Sequence, residues 1–324
     1  MSHGGPDTIS SPRAAIAGDL AKRVRAGERR AIARALTEAE RHSPLSIDVL
    51  AHLQNALGRA LVVGFTGPPG AGKSTLVDAC VRAMRAAGHT VGVIAVDPSS
   101  PLSGGAILGD RIRMTAAIED DGVFVRSLAA RGNLGGLSPA AVRMIDVLDA
   151  AGYGRILVET VGTGQSEIDI AEVTDVRVVI SAPGLGDEIQ AMKSGLLEIA
   201  DILVVNKGDV AGAGRTLQQL KSALAMRAGA AAARPVLKTA ALTGDGVAEL
   251  CRALDSVGAG RLALGPQVRR RMRARYLIAR AAAELIATEV RRAETRKVDT
   301  LTDAVLDGTL SAVDAARQLL FDGS

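Results

Sequence analysis

Of the 324 residues, 48% are apolar but only 2% aromatic, so the core must be built from Ala, Val, Leu and Ile. The length allows about two domains, and no run approaches the roughly 18 apolar residues of a membrane span. The net charge of +4 hides a local excess, because residues 261–297 hold eleven Lys/Arg against three Glu. With so few aromatics to stack on bases, that basic stretch does not point to nucleic acid.

In chain order, MSHGGPDTISSP has no apolar centre and reads as a tail rather than a secretory signal. Residues 14–41 place Ile16, Leu20, Val24, Ile32 and Leu36 at helical spacing, which predicts one or two amphipathic helices. Ser43-Pro44 interrupts them, and LSIDVLAHLQNAL predicts a further helix. Strand-like runs then alternate with helical stretches: LVVGFTG (61–67), TVGVIAVD (90–97), RILVETVG (155–162), VRVVISA (176–182), ILVVNKGD (202–209) and, more weakly, RPVLKTAA (234–241). Such short β-branched runs suit strands buried on both faces of a parallel sheet. The alternation predicts a doubly wound, mostly parallel α/β domain, whose ligands bind beyond the carboxyl ends of the strands. Beyond about residue 261, Met272, Tyr276, Ala279, Ala283, Ile286 and Val290 mark one long helix with a basic opposite face. SAVDAARQLLF closes the chain as a second, shorter helix. The expected division is a tail and helical extension over 1–58, a nucleotide-binding domain over 59–260 and a helical arm over 261–324.

Cys80 and Cys251 are the only cysteines, and His3, His42, His52 and His89 are scattered. No zinc-like spacing appears. A reduced, cytoplasmic protein with no membrane or nucleic-acid partner is expected.

Gly67-Pro68-Pro69-Gly70-Ala71-Gly72-Lys73-Ser74 fits G-x-x-x-x-G-K-[ST], with a strand before it and a helix after it. Glycines let backbone N–H groups turn toward a polyphosphate, and the helix start favours an anion. Lys73 is placed to reach the β- and γ-phosphates, the Ser74 hydroxyl to bind Mg²⁺, and Thr75 to continue the cradle. Asn206-Lys207-Gly208-Asp209 follows a strand and matches N-K-x-D. A carboxylate at Asp209 can accept from guanine N1–H and the 2-amino group, donors that adenine lacks there. The nucleotide is therefore expected to be GTP or GDP. Thr239-Ala240 is a candidate backbone contact to the base. Asp97 and Glu159 end strand runs where a carboxylate can hold Mg²⁺ or order its waters. In Glu159-Thr160-Val161-Gly162, an ExxG, the Gly162 N–H is expected on the γ-phosphate. Lys73, Asp97, Glu159 and Gly162 are the candidates for the chemistry.

Taken together, GPPGAGKST, VDPSSPLSGGAILGDRIRM, FVRSLAARGNLGGLS, VETVGTGQSEIDIA, PGLGDEIQAMKSGLLEIAD and NKGD resemble the methylmalonyl-CoA mutase-associated GTPases, the MeaB/ArgK group of the P-loop GTPases. These motifs span residues 64–209, and the flanking helices suit the same layout. The resemblance implies a chaperone that gates adenosylcobalamin delivery to a cobalamin-dependent acyl-CoA mutase and protects it. It implies Lys73, Ser74, Asp97, Asp110 and Glu159 around Mg-GTP, a switch over 98–115 and a second, mutase-facing one over 183–195. It also implies homodimerisation through the C-terminal helices, with the mutase's adenosyltransferase as a further partner. Thr163 departs from the group, where an apolar residue is expected. Two competing readings are a nickel-insertion GTPase, which would need a His-rich tail or Cys/His pair, and a small-molecule kinase, against which NKGD argues.

Overall fold

The computed structural model describes residues 12–97, 120–129, 137–160, 166–184, 195–226, 234–292 and 296–321. The chain divides into two compact units, Met1–Arg273 and Ala274–Ser324.

The first unit begins with three helices. Helix α1 (Pro12–Arg25) and α2 (Arg29–Arg41) are separated at Gly27, so the 14–41 pattern is two helices. Helix α3 (Pro44–Leu53) starts at Ser43, whose hydroxyl accepts from the Ser46 N–H at 3.1 Å, with Pro44 in the first turn. Proline suits that position because its missing N–H would have no partner there.

Seven parallel strands follow: β1 (Leu61–Thr66), β2 (Val91–Asp97), β3 (Val123–Ala129), β4 (Arg155–Glu159), β5 (Val176–Ser181), β6 (Ile202–Val205) and β7 (Val236–Lys238). Their order in the sheet is β3-β2-β4-β1-β5-β6-β7. The chain builds outward on one side of β1 and then on the other, which is the doubly wound arrangement expected. Six strands fall on the expected runs. The seventh, β3, was not expected as a strand. Its apolar ends Val123, Phe124, Leu128 and Ala129 are buried, but Arg126 and Ser127 interrupt the run.

Helices α4 (Lys73–Ala86), α5 (Pro139–Ala150), α6 (Ser166–Val173), α7 (Leu196–Ile199), α8 (Ala213–Ala225) and α9 (Val247–Leu262) connect or flank the strands. The main core gathers β1, β5, β6, α4 and α9 around Phe65, Leu76, Val178, Val204 and Leu250. Cys80 on α4 and Cys251 on α9 meet there as free thiols, and the shared hydrogen bond and burial push the Cys80 thiol up.

The expected long helix beyond 261 is α10 (Gly265–Arg292), which holds Met272 to Val290 and begins after α9, at a glycine with φ of 80°. The basic face of α10 is not wholly solvated. Arg269 and Arg273 are each 4% exposed. Arg269 donates to Ala60 O and to Asp175 Oδ2, both at 2.9 Å, and to Gly58 O. Arg273 donates to Val173 O at 3.0 Å and to Asp175 at 3.3 Å.

In the second unit, α10 continues to Arg292 and is followed by α11 (Arg296–Leu306) and α12 (Ala312–Phe321). Val290, Leu301, Val305 and Leu319 line an apolar cavity of about 250 Å³. Along α10, Ile278 and Leu285 are exposed. Among the described residues no helix is long and apolar enough to cross a membrane.

Candidate functional site

All seven strands run the same way, so their carboxyl ends share one edge of the sheet. The singled-out motifs collect there. The loop from Gly67 to Gly72 leaves the fully buried strand β1 and enters α4 at Lys73. Two of its glycines are required by contact. A Cβ on Gly67 would lie 2.1 Å from Ile180 O of β5, and one on Gly72 would lie 2.6 Å from Asn206 Nδ2. Both also have positive φ, 145° and 83°, where a side chain is strained.

Lys73 is buried at 7% exposure. Its ammonium donates to Gly67 O at 2.8 Å and to Pro68 O at 3.0 Å, so the lysine curls beneath its own loop. The Ser74 hydroxyl donates to Glu159 Oε1 at 2.7 Å. Register explains that meeting: Phe65 of β1 is level with Glu159 of β4, so the acid ends its strand beside the start of the loop. Thr160 secures the junction, donating its N–H to Phe65 O at 3.1 Å and its hydroxyl to Thr66 Oγ1 at 3.0 Å. No sequence pattern announced that threonine pair.

Asn206 directly follows β6 and is 2% exposed. Its amide donates to Ala71 O at 3.0 Å and Gly72 O at 3.2 Å. Its carbonyl accepts from Thr239 Oγ1 at 3.1 Å and Ala241 N at 3.3 Å. One side chain thus ties the glycine loop to the segment after β7. Lys207 takes a left-handed φ of 55°, and the turn leaves Lys207 and Asp209 exposed. Gly208 N donates to Thr239 O at 2.8 Å, which fixes the turn against that segment.

The expected backbone contact from Thr239-Ala240 meets a different arrangement. The Thr239 N–H is engaged by Val205 O at 2.9 Å, and the Ala240 N–H by Asp245 O at 2.9 Å. The segment holds Asn206 in place instead of offering those two donors. Asp97 ends β2, two positions beyond Ala95, which is level with Glu159. The Asp97 side chain, Asp110, Gly162, the 98–115 segment and residues 185–194 of the second expected switch lie outside the described residues.

The cradle therefore combines the first turn of α4, an ammonium, a hydroxyl paired to a carboxylate, and an exposed carboxylate beyond Asn206. The helix start and the lysine can hold phosphate groups. The Ser74–Glu159 pair presents hard oxygen donors of the kind a small divalent cation takes.

Residues 30–295 match the family described as "Methylmalonyl Co-A mutase-associated GTPase MeaB". A relative from Pyrococcus horikoshii, named as a GTPase, is 48% identical over 236 residues, covering 72% of this chain and 74% of the relative. GTPase ArgK of Escherichia coli is 43% identical over 192 residues, covering 58% of each chain. A solved structure described as LAO/AO transport system kinase superposes with a TM-score of 0.73 at 29% identity, covering 94% of this chain and 96% of that one. With the cradle at the strand ends and the match running across it, the chain belongs to the MeaB family of methylmalonyl Co-A mutase-associated GTPases and is a P-loop GTPase.

Proposed function

We propose that this protein binds Mg-GTP in the cradle, hydrolyses it to GDP and phosphate, and uses the cycle to gate adenosylcobalamin delivery to a cobalamin-dependent acyl-CoA mutase, methylmalonyl-CoA mutase first among them. The observation that carries this reading is the family match over residues 30–295, the stretch that contains Lys73, Ser74, Glu159 and Asn206.

In this reading Lys73 leaves the carbonyls of Gly67 and Pro68 for the β- and γ-phosphates, where its charge counts most as the γ-phosphoryl group transfers. Gly67, Pro68, Pro69, Gly70, Ala71, Gly72 and Thr75 complete the phosphate cradle. Ser74 and Glu159 would hold Mg²⁺, with Asp97 and Asp110 as further carboxylates. That metal supplies neutralisation of the phosphate charge. The Gly162 N–H is assigned to the γ-phosphate. Asp209 reads guanine, while Asn206, Thr239 and Ala240 keep its turn in register with the phosphate loop.

The mutase-facing role is assigned to 183–195, with Asp187, Glu188 and Lys193 exchanging partners when the nucleotide changes. The domain over 59–260 carries the nucleotide, 1–58 supports it, and 261–324 forms a homodimer. The exposed Ile278 and Leu285 favour such a partner surface. The mutase and its adenosyltransferase are the further partners, in the cytoplasm.

Coupling is reciprocal for binding, so a mutase that prefers one nucleotide state must shift nucleotide affinity equally. The test loads tagged protein with a non-hydrolysable GTP analogue or with GDP and asks which corrinoid-dependent mutase each form retains. A nucleotide-dependent capture, with turnover changed by the captured mutase, is expected. Equal capture with unchanged turnover would remove the gating role and leave a GTPase of other purpose.

A further inference from the structure

At the opposite end of the sheet, ahead of β1 and β4, lies a second cavity of about 480 Å³. It is separated from the cradle by the length of β1, six residues or about 20 Å. Arg25 at the end of α1, Asn55, Arg59, Ala60, Asp149 and Tyr153 are among the residues that line it. Its volume is that of a small-molecule site.

The charges around it are unevenly committed. Asp149 is buried, and its carboxylate accepts N–H groups from Gly58, from Arg59 at 3.1 Å and from Ala60 at 2.9 Å. Its negative charge is therefore answered by the backbone. The guanidinium groups of Arg25 and Arg59 have no hydrogen bond or ion pair among the described residues, although many other arginines of this unit do. Both residues are exposed and line the one concavity, and a guanidinium fork matches the geometry of a carboxylate or phosphate. The rest of the wall is Asn55 and small residues, with the buried Tyr153 ring held edge-on against Phe124 at a centroid distance of 6.2 Å.

We propose that this cavity binds a small organic anion: a phosphate or carboxylate head held by Arg25 and Arg59, with an apolar or aromatic body against Tyr153 and Ala60. The site bridges α1 and the segment leading into β1, so its ligand touches the helical extension and the nucleotide-binding sheet at once.

The chain's composition supplies a local probe, because it has only two tyrosines, Tyr153 and Tyr276. Protein labelled with ¹³C-tyrosine is first saturated with GDP and Mg²⁺, which fills the phosphate loop. Phenyl phosphate, benzoate and sodium chloride are then titrated at matched ionic strength. A saturable shift of Tyr153 with phenyl phosphate or benzoate is expected, with Tyr276 unmoved. The tighter of the two names the head group. The double variant Arg25→Gln/Arg59→Gln should weaken the midpoint at least about tenfold, since each lost charged hydrogen bond is worth more than that. Arg59→Lys, which keeps charge but not the fork, should also weaken it. Retained GDP binding at the phosphate loop, which lies in the same unit as the cavity, reports that the variants remain folded. An equal shift with chloride, a still Tyr153, or a wild-type midpoint in the double variant would overturn the site. A wild-type midpoint in Arg59→Lys would overturn recognition by the fork.

Discussion

The two ends of the central sheet use similar chemistry toward opposite ends. At the carboxyl end, Lys73 sits on two carbonyls of its own loop and Ser74 on Glu159. At the amino end, Arg269 and Arg273 hold three carbonyls and share Asp175, which also accepts the Val62 N–H at 2.9 Å. Both ends bury a cation against carbonyls and hold a buried carboxylate. The difference lies in what could replace the partners. A phosphate can take the place of the Gly67 and Pro68 carbonyls, because the loop around them opens at the sheet edge. The carbonyls under Arg269 belong to the segment entering β1, and releasing them would expose a buried carboxylate as well. One end is arranged for exchange of partners, and the other for keeping them.

The sharpest way to break this comparison is Lys73→Ala. GTP turnover should fall by more than about a hundredfold, the scale of losing a preorganised transition-state charge. The melting temperature should stay within a few degrees, because the lost contacts are local. Turnover within about tenfold of wild type would take the lysine out of the chemistry.

Arg269→Ala tests the other end and should show the reverse pattern. Removing one partner of a buried pair leaves Asp175 poorly compensated, at a cost of about 3–5 kcal/mol. Urea unfolding measures it, with turnover per folded molecule near normal. A loss below about 1 kcal/mol would mean that the amino end is no firmer than a surface ion pair.

Asp209→Asn sharpens the picture within the carboxyl end. Xanthine carries an oxygen where guanine carries its 2-amino group, so an amide should favour XTP over GTP, shifting the ratio at least about tenfold. Competition binding with GTP, XTP and ATP decides it. Retained preference for GTP at wild-type strength means the base is read elsewhere.

The smallest effect is expected at Asp146→Asn. Burial, opposed by Arg273, pushes the Asp146 carboxyl up from 3.8 to about 6. Because the folded value is the higher one, the protonated form is favoured by folding. The contribution to stability is full below about pH 4 and is lost as pH rises through about 6. The asparagine variant should therefore melt a few degrees higher than wild type at pH 7, with the gap closing toward pH 4. A pH-independent gap would assign the effect to packing.

How much of this was legible beforehand follows from where the partners sit in the chain. The glycine loop and the N-K-x-D turn are linear, with each residue type fixed by a spacing, so both stood out. Five of the strands were continuous β-branched runs. Strand β3 was hidden because Arg126 and Ser127 break its run, and their environment is visible only in three dimensions. Arg126 donates to Glu40 of α2 at 2.8 Å, a residue 86 positions earlier. The anchoring role of the α10 arginines was hidden for the same reason. Arg269 meets Ala60 across 209 positions and Asp175 across 94, and no local pattern separates such an anchor from a solvated basic face. Asn206 was legible as a base-reading motif, yet its grip on the glycine loop was not.

Strand β3 also has a consequence for anyone who trims the protein. It is an outermost strand of the sheet, and an open row of backbone groups there invites pairing with another chain. Helix α2 intervenes: Arg29 donates to Val123 O at 2.9 Å and lies over the Phe124 ring at 5.4 Å, while Glu40 fastens Arg126. The leading helices thus act as a guard against edge-to-edge association. A fragment beginning at residue 59 would keep every residue of the cradle and lose that guard, and its characteristic failure would be aggregation through β3.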